Sequence, residues 1–153
     1  MYAASEVGDI EDMKAHFPVE LQSSLIWGDM DAFGHLNNCM YFRLFETARI
    51  RYFEMVNFPS PDTASKIGPI LASTTCEFRQ VLTYPEGLIT QAGVDHLGNK
   101  SLSMSYRILK ESDRELAADG SAVIVLYDYA QRVSVPIPDD LRKRILVLEG
   151  SAH

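Results

Sequence analysis

Cysteine is scarce in this chain, with two residues, Cys39 and Cys76, among 153. Two thiols cannot build a disulfide framework, and neither has a companion at metal-ligand spacing. Both are expected as reduced thiols filling small apolar sites in a cytoplasmic protein. Basic residues are also short: 14 Lys and Arg stand against 21 Asp and Glu, a formal charge of −7. That balance argues against a nucleic-acid partner, which would require a basic face. No apolar run approaches the roughly 20 residues of a membrane span, so no membrane partner is expected. Met1 to Ala15 carries four acids and no apolar stretch of the kind a secretory signal needs. Repeats, low-complexity runs and linkers are absent as well. The length suits one ordinary domain, 1–153, with 46% hydrophobic and 23% charged residues.

What the chain does have is a change of period. Residues 1–18 read as a polar lead-in, and Val19 to Trp27 as a short extended segment. From Asn38 onward Tyr41, Leu44, Phe45, Ala48, Tyr52 and Met55 recur at helical spacing, opposite Arg43, Thr47, Arg51 and Glu54. Phe42 and Phe53 widen the stripe, which predicts a helix more than half buried. Asn57-Phe58-Pro59 ends it. The second half alternates with period two: Ile70 to Arg79, Leu88 to His96, Ser101 to Ile108 and Ala122 to Tyr129. Turn residues bound these runs, at Tyr84-Pro85-Glu86-Gly87, Leu97-Gly98-Asn99 and Asp119-Gly120. A tail helix is expected over 138–148, with Asp139-Asp140 at its start and Arg142-Lys143-Arg144 later, a polarity that suits the helix dipole. One long helix followed by successive strands predicts an α+β domain with an antiparallel sheet around that helix.

The chemistry-bearing residues concentrate just ahead of the helix. Trp27-Gly28-Asp29-Met30-Asp31-Ala32-Phe33-Gly34-His35-Leu36-Asn37-Asn38 places two carboxylates, a histidine and two side-chain amides around a glycine-bearing turn. Asp, Asn and Gly are favoured caps and turn residues, so any loop-to-helix junction can collect them. The same junction also suits catalysis. Unpaired N–H groups and the positive dipole end at a helix N-terminus stabilise developing negative charge. A carboxylate held there can attack a carbonyl, or activate water to do so.

The spacing Trp-Gly-Asp-x-Asp-x-x-Gly-His-x-Asn-Asn-x-x-Tyr-x-x-x-x-Glu-x-x-Arg resembles the signature of hotdog-fold acyl-CoA thioesterases, specifically the 4-hydroxybenzoyl-CoA thioesterase-like group. It runs from Trp27 to Arg49 without a gap, with Tyr41, Glu46 and Arg49 in place. The resemblance implies a curved antiparallel sheet of about five strands wrapped around one long central helix. It also implies a homodimer joined edge to edge with substrate in the seam, and a homotetramer as a further assembly. A bare sheet edge is independently a site for pairing. Coenzyme A would be part of the substrate, and no cofactor and no metal are expected.

By the same resemblance the catalytic carboxylate is Asp31, acting as nucleophile through a mixed anhydride or as general base on water. Thiolate leaves readily (pKa about 8.5 for a free thiol), so a strong general acid is not obligatory. His35 would either bond Asp31 or the substrate, or satisfy the turn backbone. The backbone N–H of Asn38 would polarise the thioester carbonyl, with Asn37 beside it. Gly34 would keep side chains away from the reacting carbonyl. Asp29 would support the loop. Cys39 adjoins the motif but is not expected to be the nucleophile. Glu46 matches a helix glutamate that is catalytic in a second hotdog group. Arg43 and Arg49, three residues away on either side, favour a simple ion pair. For the phosphates of coenzyme A the candidates are Arg79, Lys100 with Ser101, and Arg132. For the acyl group they are Tyr41, Phe45, Ile67, Pro69 and Leu71.

Two other functions fit parts of this pattern. An enoyl-CoA hydratase on the same fold resembles Gly-Asp-x-Asn-Pro-x-His and would recruit Asp29 and His35. Asp31 replaces its Asn, its Pro is missing and its His falls one residue late. A non-catalytic acyl-CoA-binding module would be expected to lose Asp31 or fill the turn with bulk, and neither has happened.

Overall fold

In a computed structural model the described residues are 11–12 and 16–150; most of the acidic lead-in lies outside them. Among these residues seven strands form one antiparallel sheet, and two α-helices accompany it. The strands are β1 (Glu11–Asp12), β2 (Val19–Ser24), β3 (Ile67–Phe78), β4 (Gly87–Leu97), β5 (Ser101–Lys110), β6 (Leu116–Asp128) and β7 (Val133–Ser134). The helices are α1 (Asn38–Met55) and α2 (Asp139–Leu148). The sheet runs β1-β4-β5-β6-β3, with β2 also on β4 and β7 on β6. Shifts of register in β3/β6, β4/β5 and β5/β6 mark bulges, which bend strands and increase their twist.

The period-two runs become β3 to β6, because alternate residues turn one apolar row toward the helices. Helix α1 lays Tyr41, Phe45, Ala48 and Tyr52 on the sheet. Phe45 stacks on Tyr106 of β5, with ring centroids 4.7 Å apart. Ile137, Leu141 and Ile145 bring α2 into the same core.

Several expectations need correction. Half of α1 is exposed, Met55 included, so the helix is less buried than its stripe of apolar residues suggested. Asp119-Gly120 does not bound a strand but lies within β6, opposite Cys76 and Glu77 of β3. Asp139 and Asp140 occupy the first turn of α2 as expected, but no basic residue falls in its last turn. Arg142 donates to Gly98 O at 2.7 Å, and Arg144 donates to Val56 O at 2.7 Å, just past the end of α1. Cys39 is exposed rather than packed, and Cys76 is half-buried. No helix among the described residues is long and apolar enough to cross a membrane.

Candidate active site

Trp27–Asp29 forms one turn of 3-10 helix, and the chain then reverses tightly before entering α1. The reversal is closed by Asp31 N–H to His35 O at 2.7 Å and Gly34 N–H to Asp31 O at 3.0 Å. Gly34 holds φ +77°, and a Cβ there would meet nothing within 4 Å. Glycine suits this left-handed conformation, which L side chains rarely adopt. The loop docks through Leu36 N–H to Leu82 O at 2.8 Å and Leu25 N–H to Glu86 O at 3.1 Å.

Asp31 is half-buried, and its two oxygens differ. Oδ1 accepts the N–H groups of Phe33 at 2.8 Å and His35 at 3.2 Å. Oδ2 has no hydrogen-bond partner among the described residues. At the start of α1, Asn37 Oδ1 takes the Cys39 N–H at 3.0 Å, and Asn37 O takes the Met40 N–H at 2.9 Å. The Asn38 N–H between them is unpartnered among the described residues. An open carboxylate oxygen and an open helix amide thus belong to one loop-to-helix junction.

Both border a cavity of about 590 Å³ lined by Asp31, His35, Asn37, Asn38, Tyr41 and the segment Phe78–Leu82. Tyr41 meets Phe78 edge to face at 4.8 Å. Burial, with Cys76 and Asp31 nearby, pushes its hydroxyl pKa up, so Tyr41 stays protonated. The His35 imidazole is exposed and makes no bond to Asp31; the residue serves the turn through its backbone.

The structure gathers the expected residues unevenly. Arg79 lines the cavity, but its guanidinium spans both oxygens of Asp119, at 2.7 and 3.3 Å. Lys100 and Ser101 sit at the β4–β5 turn, opposite Val125, at the other end of the sheet from Phe78, which pairs with Ala118. Arg132 follows the end of β6 and is equally remote from Asp31 within one chain. Of the expected acyl-pocket residues, Tyr41 and Phe45 are buried, Ile67 and Pro69 half-buried, and Leu71 exposed. The anticipated pairing of Glu46 with Arg43 or Arg49 does not form. Arg49 is 8% exposed and donates to Tyr106 Oη at 3.1 Å, while Glu46 borders a separate cavity with Arg43, Ile50 and Arg51.

Gln80 and Leu82 were not foreseen. Gln80 Nε2 donates to Glu115 Oε2 at 2.7 Å, while its Oε1 is buried and unpartnered among the described residues. The available signal was the break in alternation after Phe78, which lets this segment leave the sheet beside the Asp31 turn. Among the described residues no cluster of three or more His, Cys, Asp or Glu could hold a metal ion.

Comparison with known proteins converges on one family. A model of the thioesterase-like superfamily matches residues 25–145. An uncharacterized protein of Bacillus subtilis (strain 168), YsmA, is 28% identical over 137 residues, covering 89% of this chain and 90% of that protein. A thioesterase from Thermus thermophilus, solved with coenzyme A and Zn, is 28% identical with a TM-score of 0.76, covering 90% of this chain and 98% of that one. Slr0204, a 1,4-dihydroxy-2-naphthoyl-CoA thioesterase from Synechocystis, shares the fold at a TM-score of 0.74 and 12% identity, covering 82% and 93% of the two chains.

Proposed function

Because the chain belongs to the thioesterase-like superfamily, we propose that it hydrolyses an acyl-CoA thioester to free coenzyme A and a carboxylic acid, with Asp31 as nucleophile or general base. It is a thioester hydrolase of the hotdog type, and the curling of the sheet around α1 as a central helix belongs to the proposal. The observation that carries the assignment is that Asp31, with an open Oδ2, and Asn38, with an unpartnered N–H among the described residues, line one cavity. A thioester carbonyl bonded to that amide has its developing oxyanion stabilised by a fixed donor and the dipole of α1. The two bonds to Oδ1 hold the carboxylate still, which limits the reorganisation that attack requires. Asn37 fixes the helix entry, Gly34 the turn, and Tyr41 with Phe78 an apolar wall for the acyl group. His35 stands at the rim, where it can contact the substrate. No cofactor enters this scheme. A homodimer formed along the bare edge of β3 is part of the same proposal.

The test is thiol release from short, long and aromatic acyl-CoAs by wild type and Asp31→Asn. An asparagine keeps an Oδ1 acceptor for Phe33 and His35, so the turn survives and only the basic oxygen is lost. Turnover should fall by about 100-fold or more, the scale of losing a positioned base. Near-normal turnover in the variant would remove Asp31 from the mechanism. Hydration of a crotonyl-type substrate without thiol release would favour the hydratase instead.

A further inference from the structure

The start of α1 offers less to a developing oxyanion than a helix N-terminus ordinarily would. The cap at Asn37 takes the Cys39 N–H on its side-chain oxygen and the Met40 N–H on its carbonyl. Among the described residues that leaves the Asn38 N–H as the open amide of the first turn. Attack on a thioester places a full negative charge on the carbonyl oxygen, and acyl-transfer sites usually aim more than one fixed donor at it.

Of the other donors bordering the Asp31 cavity, most are engaged or loose. Asn37 is committed to the cap, Arg79 to Asp119 and Gln80 Nε2 to Glu115, while His35 and the Asn38 side chain are exposed. Tyr41 is different. It is only 4% exposed, and its ring is packed edge to face on Phe78 at 4.8 Å. Its hydroxyl has no hydrogen-bond partner among the described residues. Gln80 Oε1 and Thr90 Oγ1 are the unpartnered side-chain oxygens shut off from solvent among those residues. The Tyr41 hydroxyl is not among them, so it keeps access to open space, and Tyr41 lines this cavity.

The place of Tyr41 on α1 fits a donor. It follows Asn38 by three residues, one turn along the same face. Helical side chains lean toward the N-terminus, so Tyr41 covers the turn that carries the Asn38 N–H. Burial, then the charges of Cys76 and Asp31, raise the pKa of its hydroxyl. The group therefore keeps its proton and can donate a hydrogen bond, but cannot act as the base. Held by packing, it needs little reorganisation to do so.

We propose that the Tyr41 hydroxyl is a second oxyanion donor, which with the Asn38 N–H binds the carbonyl oxygen of the thioester. This rests on the thioester-hydrolase reading above and gives the hydroxyl a role beyond the apolar wall that its ring supplies. When Asp31 Oδ2, or a water that it deprotonates, bonds to the carbonyl carbon, the C=O π pair moves onto oxygen. The Tyr41 O–H and Asn38 N–H donate to that oxygen, and both keep their protons. The pair then returns to carbon as the C–S bond breaks, and coenzyme A leaves as its thiolate.

Tyr41→Phe removes one oxygen and keeps the ring against Phe78, so the fold should be retained. Its kcat for acyl-CoA hydrolysis should fall by about 100-fold or more, the scale of losing one oxyanion donor, with KM nearly unchanged. The readout that a structural role would not move is the carbonyl stretch of bound acyl-CoA, followed by infrared difference spectroscopy with a 13C-labelled carbonyl. Asp31→Asn holds the substrate without turning it over, and there the stretch should lie below its value in water. Adding Tyr41→Phe should return it part of the way. A Tyr41→Phe enzyme with near-wild-type kcat overturns the proposal. So does a fall in kcat with an unmoved stretch, which would assign the hydroxyl to the leaving sulfur or to packing. Wild-type protein that releases no thiol from any acyl-CoA instead overturns the hydrolase assignment, and the present proposal with it.

Discussion

Asp31 was open to two accounts from sequence, a turn cap or a catalytic carboxylate, and capping occupies only one of its two oxygens. Oδ1 caps the reversal through Phe33 and His35, and Oδ2 is left without a partner among the described residues, on a side chain that lines the cavity. Residue types and spacing could name this aspartate but could not show that capping leaves an oxygen free. Gly34 was legible as a turn glycine, but its left-handed φ is a backbone property that only the structure displays. Cys76 was also misjudged as simply packed. Burial first, then the charges of Asp119 and Glu77, pushes its thiol up to about 11 from an ordinary 9.0. The folded state therefore holds this proton more tightly than the unfolded chain does. Stability from the site is complete below pH about 9 and falls as pH rises toward 11, because only the unfolded thiol ionises across that window. Urea melts of wild type and Cys76→Ala at stepped alkaline pH should show a steeper decline for wild type. Parallel curves would mean that Cys76 has no raised pKa in solution.

At the scale of elements, alternation and helical spacing located α1, α2 and the four long strands, since each lays an apolar row against a shared core. They failed where a partner element sets the requirement. Asp119-Gly120 reads locally as a turn, yet it lies within β6, where glycine normally weakens a strand. The reason lies across the core: a Cβ on Gly120 would come within 2.6 Å of the Phe45 ring of α1 and would also collide with the Thr75 carbonyl of β3. Gly120 thus leaves room for the Phe45 ring of α1 to lie directly against β6. Gly120→Ala should destabilise the fold by about 1–3 kcal/mol, the range for overpacking a core. Adding Phe45→Leu should recover part of that loss in a double-mutant cycle. An alanine variant as stable as wild type would show that β6 shifts freely away from α1. Arg49 makes the same point, because spacing suggested an ion pair with Glu46 while packing turned the guanidinium inward onto Tyr106.

Over the whole molecule, the chain is closed by a carboxylate that nothing in its neighbourhood of sequence singles out. Glu149, at the end of α2, is fully buried. Its Oε1 accepts the Tyr52 hydroxyl of α1 at 2.8 Å and the Val94 N–H of β4 at 2.7 Å, and its Oε2 accepts the His16 N–H at 3.3 Å. Val94 stands at the bulge where β4 and β5 lose register, so its N–H needs an acceptor that the ladder does not supply. Glu149 supplies it and holds α2, α1, β4 and the approach to β2 together. A glutamate near a chain end ordinarily reads as surface, because its role depends on contacts 55 and 97 residues away. Glu149→Ala strands two buried donors, each costing about 1–3 kcal/mol, so the denaturation midpoint should fall steeply. Glu149→Gln retains an amide oxygen for one or both donors and should cost visibly less. Equal losses from the two substitutions would mean that charge, and not accepted hydrogen bonds, secures the C-terminal helix. No loss from either would detach α2 from the cooperative unit that carries the Asp31 junction.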